Sequence, residues 1–553
     1  MTPVDPVTLS VLWNSLISIA DEMGSALRST AFSEAVREGD DFSTGLFDRA
    51  GRLVAQGNFT PGHLGAMPYV LRHVFDYFRP ESFEPGDSVA LNDSFLGAGH
   101  YPDFFVVSPV FAGEKLMGFT VNSAHHVDVG GAAAGSQRVQ GVTEAYQEGI
   151  RVLPVRIARK GAFDENVMRI LLGNVRLPAK VEGDLRAQLN ANHVGQARLV
   201  KLYETYGEDL VELTIEAIIA KSEQIARDVI RQLPNGLYEF EDFLDDAGPD
   251  TGPIRVHAAV TIEEERIVID FSGSSDQVGS AMNCYINYTR AYGVFAAKIL
   301  TGMDVPNNEG SFRPIEVKAR EGSFFNAKFP APSGGRAAVQ IRIFDAINGA
   351  LAPILPHRAM GAFSHWSNPN IGGVDDRTGK PFILYDLLFG GYGGLAERDG
   401  VEGLAPVMNC SNIPVEVHEL NNPAIVWRLE LIADSGGAGE FRGGCGLRKD
   451  IEILADGAVV TLLGDRHIYA PYGLRGGKAG ATGETVLNPD AEARRLGSKS
   501  VVALKAGDVV SFRLAGAGGY GDPAARDPEA VRRDVEDGFV SAAAAEAVYG
   551  VKV

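Results

Sequence analysis

Apolar residues recur at helical spacing near the start of the chain. Asp5 and Pro6 form a helix start, because an aspartate caps the first turn and proline fits the first helical position. Apolar side chains then follow at intervals of three or four residues, which predicts a helix with one buried face. The same pattern runs almost unbroken over residues 181–233 and predicts a long helical segment.

β-prone apolar runs predict strands elsewhere. Residues 42–47 and 53–56 lie on either side of a turn and are predicted to be two strands. Residues 104–111 and 116–121 flank a second turn at 112–115 and predict a hairpin. Most of the sequence after residue 415 repeats this pattern of short strands and glycine turns.

Together these patterns predict an α+β fold with several domains. A chain of 553 residues is too long for one compact core. The turn Pro234-Asn235-Gly236 ends the helical segment and marks a boundary. The predicted units are an N-terminal α+β domain that carries the candidate site, a helical segment, a central α+β domain, and a β-rich C-terminal domain with terminal helices: residues 1–180, 181–235, 236–414 and 415–553.

Charge and cysteine content narrow the class of protein. The net charge is −20 and the chain has no run of Lys or Arg, which argues against a nucleic-acid partner. Three widely spaced cysteines indicate a reducing compartment without a disulfide framework. We expect a cytoplasmic protein, because the first residues do not resemble a signal peptide and no apolar stretch approaches membrane-spanning length.

The candidate chemistry lies at the ends of the predicted hairpin. His100 and Asp103 precede its first strand, and the motif His125-His126-x-Asp128 follows its second. Because a hairpin brings these ends together, both motifs are predicted to meet within metal-ligand distance. Imidazole and carboxylate suit Zn, Mn or Fe(II). The alternative is that these are ordinary polar residues at strand ends.

Neighbouring residues leave further alternatives open. His125 and His126 point to opposite faces of a strand, so only one of them is expected to bind a metal. Asp41 precedes a predicted strand, and its spacing favours a solvated turn residue over a ligand. His63 is interpreted as a hydrogen-bonded loop histidine, and His193 as a structural residue on the apolar face of the helical segment.

The sequence shows no nucleotide-binding motif. It contains neither a GxxxxGK[ST] loop nor a GxGxxG between a predicted strand and helix. Arg336, Gln340 and Arg342 lie near the start of a predicted buried helix, where such side chains bind an anion or, more commonly, cover the helix end.

Several blocks of sequence, in the same order along the chain, resemble the hydantoinase B/oxoprolinase family. The blocks are SEAVREGDDFSTGLFDRAGRLVAQG, GHYPDFFVVSPVF, AHHVDVGG, DFSGSS, VPNNEGSFRPI, DSGGAGEFRGGCGLRKD, YGLRGGKAG and AGAGGYGDPAARDPEAVRRDVEDGFVS. The family includes N-methylhydantoinase B subunits, the second half of 5-oxoprolinase, ATP-dependent lactamases, and the metal-bearing subunits of acetone and acetophenone carboxylases. The resemblance extends from about residue 5 to the C-terminus.

The resemblance implies a set of site residues. A divalent metal would be held by an aspartate of the DFS block, the His-x-x-Asp pair and one histidine of the AHHxD block. His126 and Asp128 would orient these ligands or handle protons. The implied ligands are Asp41, His100, Asp103 and His125, which changes the interpretation of Asp41 from turn residue to ligand.

The resemblance also implies a reaction and a partner. The leading hypothesis is a metal-dependent subunit of an ATP-dependent amidohydrolase that acts on a small cyclic amide. ATP would bind to a hydantoinase A-like partner in a hetero-oligomer. The runner-up is a subunit of a ketone carboxylase, and a third possibility is a non-catalytic scaffold that binds metal for stability. The chain is shorter than the large carboxylase subunits, which favours the amidohydrolase.

Overall fold

The N-terminal part of the chain forms one antiparallel sheet of seven strands. The computed structural model describes residues 4–553. In the sheet the strands follow the order β2-β1-β5-β4-β3-β6-β7, and β4 and β5 form the predicted hairpin. The strands are β1 Phe42–Asp48, β2 Leu53–Gln56, β3 Ser88–Leu91, β4 Asp103–Ala112, β5 Lys115–His125, β6 Val155–Arg159 and β7 Ala162–Phe163.

Helices cover both faces of this sheet. Successive side chains of β1 point to opposite faces of the sheet. Leu46 packs in a core with the helices at residues 6–30 and 178–206, and Phe47 packs in a core with the helix at residues 61–77. The side chain of Asp5 caps the first helix, as predicted. The helices are α1 Pro6–Thr30, α2 Glu34–Arg37, α3 Pro61–Tyr77, α4 Glu165–Leu172, α5 Pro178–Tyr206 and α6 Glu208–Ile230.

Two of the histidines interpreted as structural lie elsewhere than predicted. His63 is not in a loop: it is buried in the first turn of α3, because Thr60 and Pro61 begin a helix there. His193 is exposed on α5 and does not belong to its apolar face, which turns the buried amides Gln188 and Asn192 towards the sheet.

The central part of the chain contains a four-stranded sheet in the order β11-β10-β9-β8, in which only β10 and β11 are parallel. Every residue of its last helix is buried, as the sequence predicts for this segment. The elements are β8 Gly236–Leu244, β9 Ile254–Glu263, β10 Arg266–Asp270, α7 Ile286–Thr301, α8 Glu309–Phe312, β11 Ile315–Lys318 and α9 Gln340–Leu351.

The C-terminal part of the chain is rich in short strands. Its strands are β12 Trp366–Ser367, β13 Asn370–Asp375, β14 Lys380–Tyr385, β15 Leu388–Phe389, β16 Ala424–Ile432, β17 Gly446–Ile453, β18 Val459–Thr461, β19 Glu484–Leu487, β20 Arg494–Leu496, β21 Val501–Ala503 and β22 Val509–Arg513. Its helices are α10 Val415–Asn421, α11 Pro528–Glu536 and α12 Ala542–Tyr549.

These strands form three sheets: β14-β13-β18-β21, β16-β17-β22-β19-β20 and the pair β12-β15. The first sheet crosses the boundary predicted at residue 414, because β13 pairs with β18. Close backbone contacts explain part of the high glycine content: a methyl group on Gly391 would lie 2.4 Å from the backbone of Gly444.

The cysteines form no disulfide among the described residues. Cys284, Cys410 and Cys445 are all free and buried. Within residues 4–553, none of the helices combines the length and the apolar character that crossing a bilayer requires.

Candidate metal centre

The ends of three adjacent strands, β1, β5 and β4, lie side by side in the N-terminal sheet. Asp41 lies directly before β1, and its carbonyl accepts a hydrogen bond of 3.0 Å from the backbone N–H of His125, the last residue of β5. Asp103 opens β4 and is in register with His125. The hairpin therefore brings the two polar motifs together, as its sequence predicts.

One carboxylate oxygen, Oδ1 of Asp103, lies at the centre of the resulting cluster. It is 2.8 Å from Nε2 of His100 and 3.2 Å from Nδ1 of His125. Nε2 of His63 lies 3.2 Å from the same oxygen. Three imidazoles thus converge on one carboxylate. We use the name site cluster for Asp41, His63, His100, Asp103 and His125.

Asp41 lies at the side of this cluster. Its Oδ2 is 3.7 Å from Nδ1 of His125, and its Oδ1 is 3.9 Å from Nε2 of His63. The hydroxyl of Tyr385 donates to Oδ2 of Asp41 at 3.3 Å. The structure therefore brings together all four residues that the family resemblance implies as ligands.

The outer nitrogens of two histidines have hydrogen-bond partners of their own. Nδ1 of His100 lies 3.2 Å from the carbonyl of Gly334, which only an N–H on Nδ1 satisfies. The side-chain nitrogen of Gln137 lies 3.1 Å from Nε2 of His125, and exchange of the amide N and O, which are nearly indistinguishable, would make Gln137 the acceptor of an Nε2–H. The contact at His100 leaves the Nε2 lone pair directed into the cluster, as metal ligation requires, and the exchanged Gln137 amide would do the same for Nδ1 of His125.

Arg336 completes the surroundings of Asp103. Its guanidinium donates to Oδ2 of Asp103, to the carbonyl of Ala98 at 2.8 Å and to the Tyr288 hydroxyl at 3.0 Å. The side chain neither covers a helix end nor is free for an external anion. Arg342 is likewise paired, with Asp465 at 2.7 Å.

The surroundings act differently on the groups of the cluster. Burial and the nearby Arg336 charge lower the pKa of His100 to about 4. Burial also disfavours the charged form of His63, but Asp103 and Asp41 outweigh it and raise the pKa of that imidazole. Burial opposes ionisation of Asp103, but His100, His63 and Arg336 outweigh it and hold the pKa of that carboxyl well below its ordinary value. When the imidazoles are neutral, as metal ligation requires, the two carboxylates face one permanent cation and the cluster has an excess of negative charge.

The cluster also has space for an ion. A cavity of about 20 Å³ is lined by residues that include Asp41, His63, His100 and His125. That volume suffices for one water molecule or one ion, since a water needs roughly 10–15 Å³. One ligand atom from each of His100, Asp103 and His125 lies within 4.8 Å of the others. The donor types, the charge and the cavity all fit a divalent cation.

The other two predicted site residues point away from the cavity. Nε2 of His126 lies 3.0 Å from the Gln188 side chain, and its ring packs against Phe104. Asp128 accepts hydrogen bonds from the backbone and the guanidinium of Arg176. Neither side chain reaches the site cluster.

Sequence reasoning did not place His63 in the cluster. The helix start Thr60-Pro61 could have indicated this position. The side chain of a histidine in the first turn of a helix points in a defined direction, whereas that of a loop histidine does not. Tyr385 carried no signal, because it lies 344 residues from Asp41 in the chain. Gln137 is only 12 residues from His125, but it lies in a loop segment without a motif that predicts its direction.

Comparison with known proteins identifies the family. The model of the hydantoinase B/oxoprolinase family matches residues 5–523. This chain belongs to the hydantoinase B/oxoprolinase family.

Two relatives illustrate the range of the family. The chain is 30% identical to the caprolactamase subunit beta of Pseudomonas jessenii, over 100% of this chain and 97% of that protein. It is 29% identical to 5-oxoprolinase 1 of Arabidopsis thaliana over 94% of this chain, which corresponds to 42% of that longer protein.

Solved structures share the fold. The crystal structure of the ATP-dependent caprolactamase from Pseudomonas jessenii superposes with a TM-score of 0.93 at 29% identity, over 100% of this chain and 97% of that chain. A nucleotide-free acetone carboxylase superposes with a TM-score of 0.89 over 99% of this chain and 80% of that chain, but at 19% identity it supports the fold alone.

Proposed function

We propose that this chain is the metal-dependent catalytic subunit of an ATP-dependent amidohydrolase that opens a small cyclic amide: a lactam, a hydantoin or 5-oxoproline. The main support is the site cluster, in which two carboxylates and three imidazoles surround a cavity of one ion's size. The match to a caprolactamase over the whole chain supports the choice of reaction.

Asp41, His100, Asp103 and His125 would hold the cation, and His63 is close enough to join them. The donor set suits Zn, Mn or Fe(II). A divalent cation bound here would act as a Lewis acid and would make water a better nucleophile near neutral pH.

Surrounding residues hold the ligands in position. Arg336 binds Oδ2 of Asp103, so that Oδ1 is left to face the imidazoles. The Tyr385 hydroxyl orients Asp41, and the Gly334 carbonyl and the Gln137 amide orient the two histidine rings. Such partners typically change metal affinity or activity 10- to 100-fold when they are removed.

His126 and Asp128 have an indirect role in this proposal. The backbone N–H of His126 donates to the Pro102 carbonyl at 2.8 Å, which ties the end of β5 to the residue before Asp103. The ion pair of Asp128 with Arg176, at 2.7 Å, anchors the loop that follows. These contacts would keep His125 and Asp103 in register.

An ATP-binding partner is part of the proposal. A cyclic amide is resonance-stabilised and a poor electrophile, so attack by water needs prior activation. A hydantoinase A-like partner would phosphorylate the amide oxygen, after which water adds to the carbon and the ring C–N bond breaks, with the amine taking a proton. This leaves an acyl phosphate, which a second water hydrolyses to the carboxylate and phosphate. The absence of a phosphate-binding motif from this sequence supports a separate ATP site.

The test is co-purification with the ATP-binding partner and assay of caprolactam, hydantoin and 5-oxoproline. We expect ring opening coupled to ATP cleavage without bicarbonate, and incorporation of labelled solvent oxygen into the new carboxylate. The isolated chain should not hydrolyse ATP. Turnover only with bicarbonate and a ketone would refute the proposal in favour of a carboxylase.

A further inference from the structure

A second and much larger cleft lies on the other side of α3 from the site cluster. Its volume is about 1150 Å³, and α3, α7 and β11 contribute to its walls. The first turn of α3 separates the two spaces: Gly62 and His63 line the small cavity, whereas Pro61 and Leu64 line the cleft. The cleft therefore does not belong to the candidate metal centre.

The lining of the cleft is more basic than the rest of the chain. The whole chain has 51 basic and 71 acidic residues. The cleft has six basic residues against four acidic ones, Asp21, Asp304, Glu309 and Glu316. The basic residues are Arg72, Arg266, Arg290, Lys298, Arg313 and Lys318. Arg266 and Lys318 pair with Glu316, and Arg313 pairs with Glu223. The positive charge that an anionic ligand could meet is therefore that of Arg72, Arg290 and Lys298.

Two guanidinium groups lie near one aromatic ring at the wall of this cleft. The guanidinium carbons of Arg290 and Arg72 lie 5.2 Å and 5.6 Å from the centre of the Tyr69 ring. Within residues 4–553, no carboxylate lies within ion-pair distance of Arg290, and Arg72 has only a 3.4 Å contact with Glu309. Arg290 therefore lines the cleft as a cation whose charge no ion pair in the described chain balances.

Lys298 adds positive potential two turns further along α7, about 12 Å from Arg290 by helix geometry. Its ammonium is buried and donates to neutral acceptors, which are the Val305 carbonyl, the Asn307 amide and the Ser311 hydroxyl. Burial lowers the pKa of Lys298 to about 7. An anion in the cleft would stabilise its charged form.

Apolar side chains share the wall with these cations. Val294 and Phe295 follow Arg290 on α7, and Phe312 lies opposite, with its ring 5.5 Å from the Lys298 ammonium. The cleft is far larger than an inorganic anion and slightly exceeds the roughly 300–1,000 Å³ that is usual for small-molecule sites. A ligand that fills it needs both an anionic group and an organic body.

We propose that this cleft binds an organic phosphate, with the phosphoryl group at Arg72 and Arg290 and the organic body along Phe295 and Phe312. Arginine matches phosphate with several parallel donors, and a dianion meets the charge of two guanidinium groups better than a single carboxylate does. This inference is independent of the proposed amidohydrolase reaction.

Calorimetric titration of phenyl phosphate into the full chain at low salt tests the proposal. We expect saturable binding that weakens with added salt, with inorganic phosphate and benzoate binding less tightly. Arg290→Ala should weaken binding at least about tenfold, which corresponds to about 1.4 kcal/mol. Arg290→Lys should retain part of the affinity, and Arg186→Ala, at an exposed site outside the cleft, should retain all of it.

Thermal unfolding checks that each variant is folded, and Arg72→Gln replaces Arg290→Ala if that variant is not. Absence of binding up to about 10 mM phenyl phosphate would overturn the proposal. So would equal affinity in the wild type and the folded Arg290 or Arg72 variants. Loss of binding only when the ATP-binding partner is added would instead assign the cleft to that protein interface and would also overturn it.

Discussion

The protein contains two clusters of charged residues that are similarly buried but differ in their charge balance. One is the site cluster. The other, which we name the core ion network, lies where the central sheet meets α9 and the C-terminal strands. Its members are Asp242, Arg342, Asp345, Asp465, Arg466 and Lys499.

The core ion network balances its own charge. Arg466 binds Asp242 and Asp345, each at 2.8 Å, and Asp465 accepts from Arg342 at 2.7 Å. The six named residues comprise three carboxylates and three permanent cations, and Lys499 also contacts the partly exposed Asp246 at 3.4 Å. Such a network leaves no demand for an ion, and its role is structural.

The site cluster does not balance its charge. Its two carboxylates face one permanent cation, Arg336, and its imidazoles supply lone pairs. The low pKa of His100 keeps that imidazole from supplying the missing positive charge, whereas Asp103 and Asp41 raise the pKa of His63. The charge deficit and the direction of the lone pairs, more than burial, therefore distinguish the candidate metal site from the ion-paired core.

The largest expected effect is loss of metal from Asp103→Ala. The variant removes the carboxylate on which three imidazoles converge, so we expect metal content to fall from about one ion per chain to less than about a tenth, with affinity reduced more than about 100-fold. Elemental analysis after dialysis measures it.

Because Asp103→Ala also leaves Arg336 buried without its carboxylate, Asp103→Asn provides a second variant of closer shape. Full metal retention in both folded variants would refute the assignment of the site cluster as the metal centre.

Arg466→Met should break the core ion network without affecting the metal. Removing this cation leaves Asp242 and Asp345 short of a partner, which should lower the free energy of unfolding by about 3–5 kcal/mol. Urea unfolding measures this. The exposed pair Arg186–Glu182 gives the matched control, and Arg186→Met should cost no more than about 0.5 kcal/mol. A change in the metal content of folded Arg466→Met would contradict the separation of the two clusters.

His63→Ala tests the residue that the sequence did not place in the site. We expect metal affinity to fall by about 10- to 100-fold, because Nε2 of His63 lies beside Oδ1 of Asp103. Competition with a chromogenic chelator measures the affinity. His193→Ala removes an exposed histidine from α5 and should have no effect. If both variants bind metal as the wild type does, His63 has no part in the site.

Glu148 and Asp465 are two buried carboxyl groups whose different partners shift their pKa values in opposite directions. It meets the backbone N–H groups of Ser333 and Gly334, whereas Asp465 meets Arg342 and Lys499. Burial raises the pKa of Glu148 to about 8, whereas Lys499 and Arg342 overcome burial and hold the pKa of Asp465 far below its ordinary value.

Because folded Glu148 binds its proton more tightly than the unfolded chain does, its stabilisation is complete below about pH 4.5 and is lost as the pH rises through 8. The expected slope is up to about 1.4 kcal/mol per pH unit. Glu148→Gln stays neutral and should remove that slope in urea unfolding measured across this range. An unchanged slope would show that the carboxyl is already ionised at neutral pH.

Much of the local structure was determined by the sequence alone. The capping residue Asp5 begins a helix where the pattern predicts it, and Asp527 and Ser541 cap the predicted terminal helices, because a cap satisfies free backbone N–H groups within a few residues. The hairpin of β4 and β5 follows from alternation and a short turn, and it places Asp103 beside His125. These features depend on interactions between residues that are close in sequence.

Only the tertiary structure decided the rest of the site. His63 arrives on α3, Arg336 from the segment before α9, and Tyr385 from β14. The sheet that crosses residue 414 also depends on tertiary structure, since β13 pairs with β18, which is distant in sequence. No local sequence pattern predicts these long-range contacts, because they depend on how helices and sheets pack their apolar faces. The charge deficit that favours a cation at Asp103 exists only once these segments have packed together.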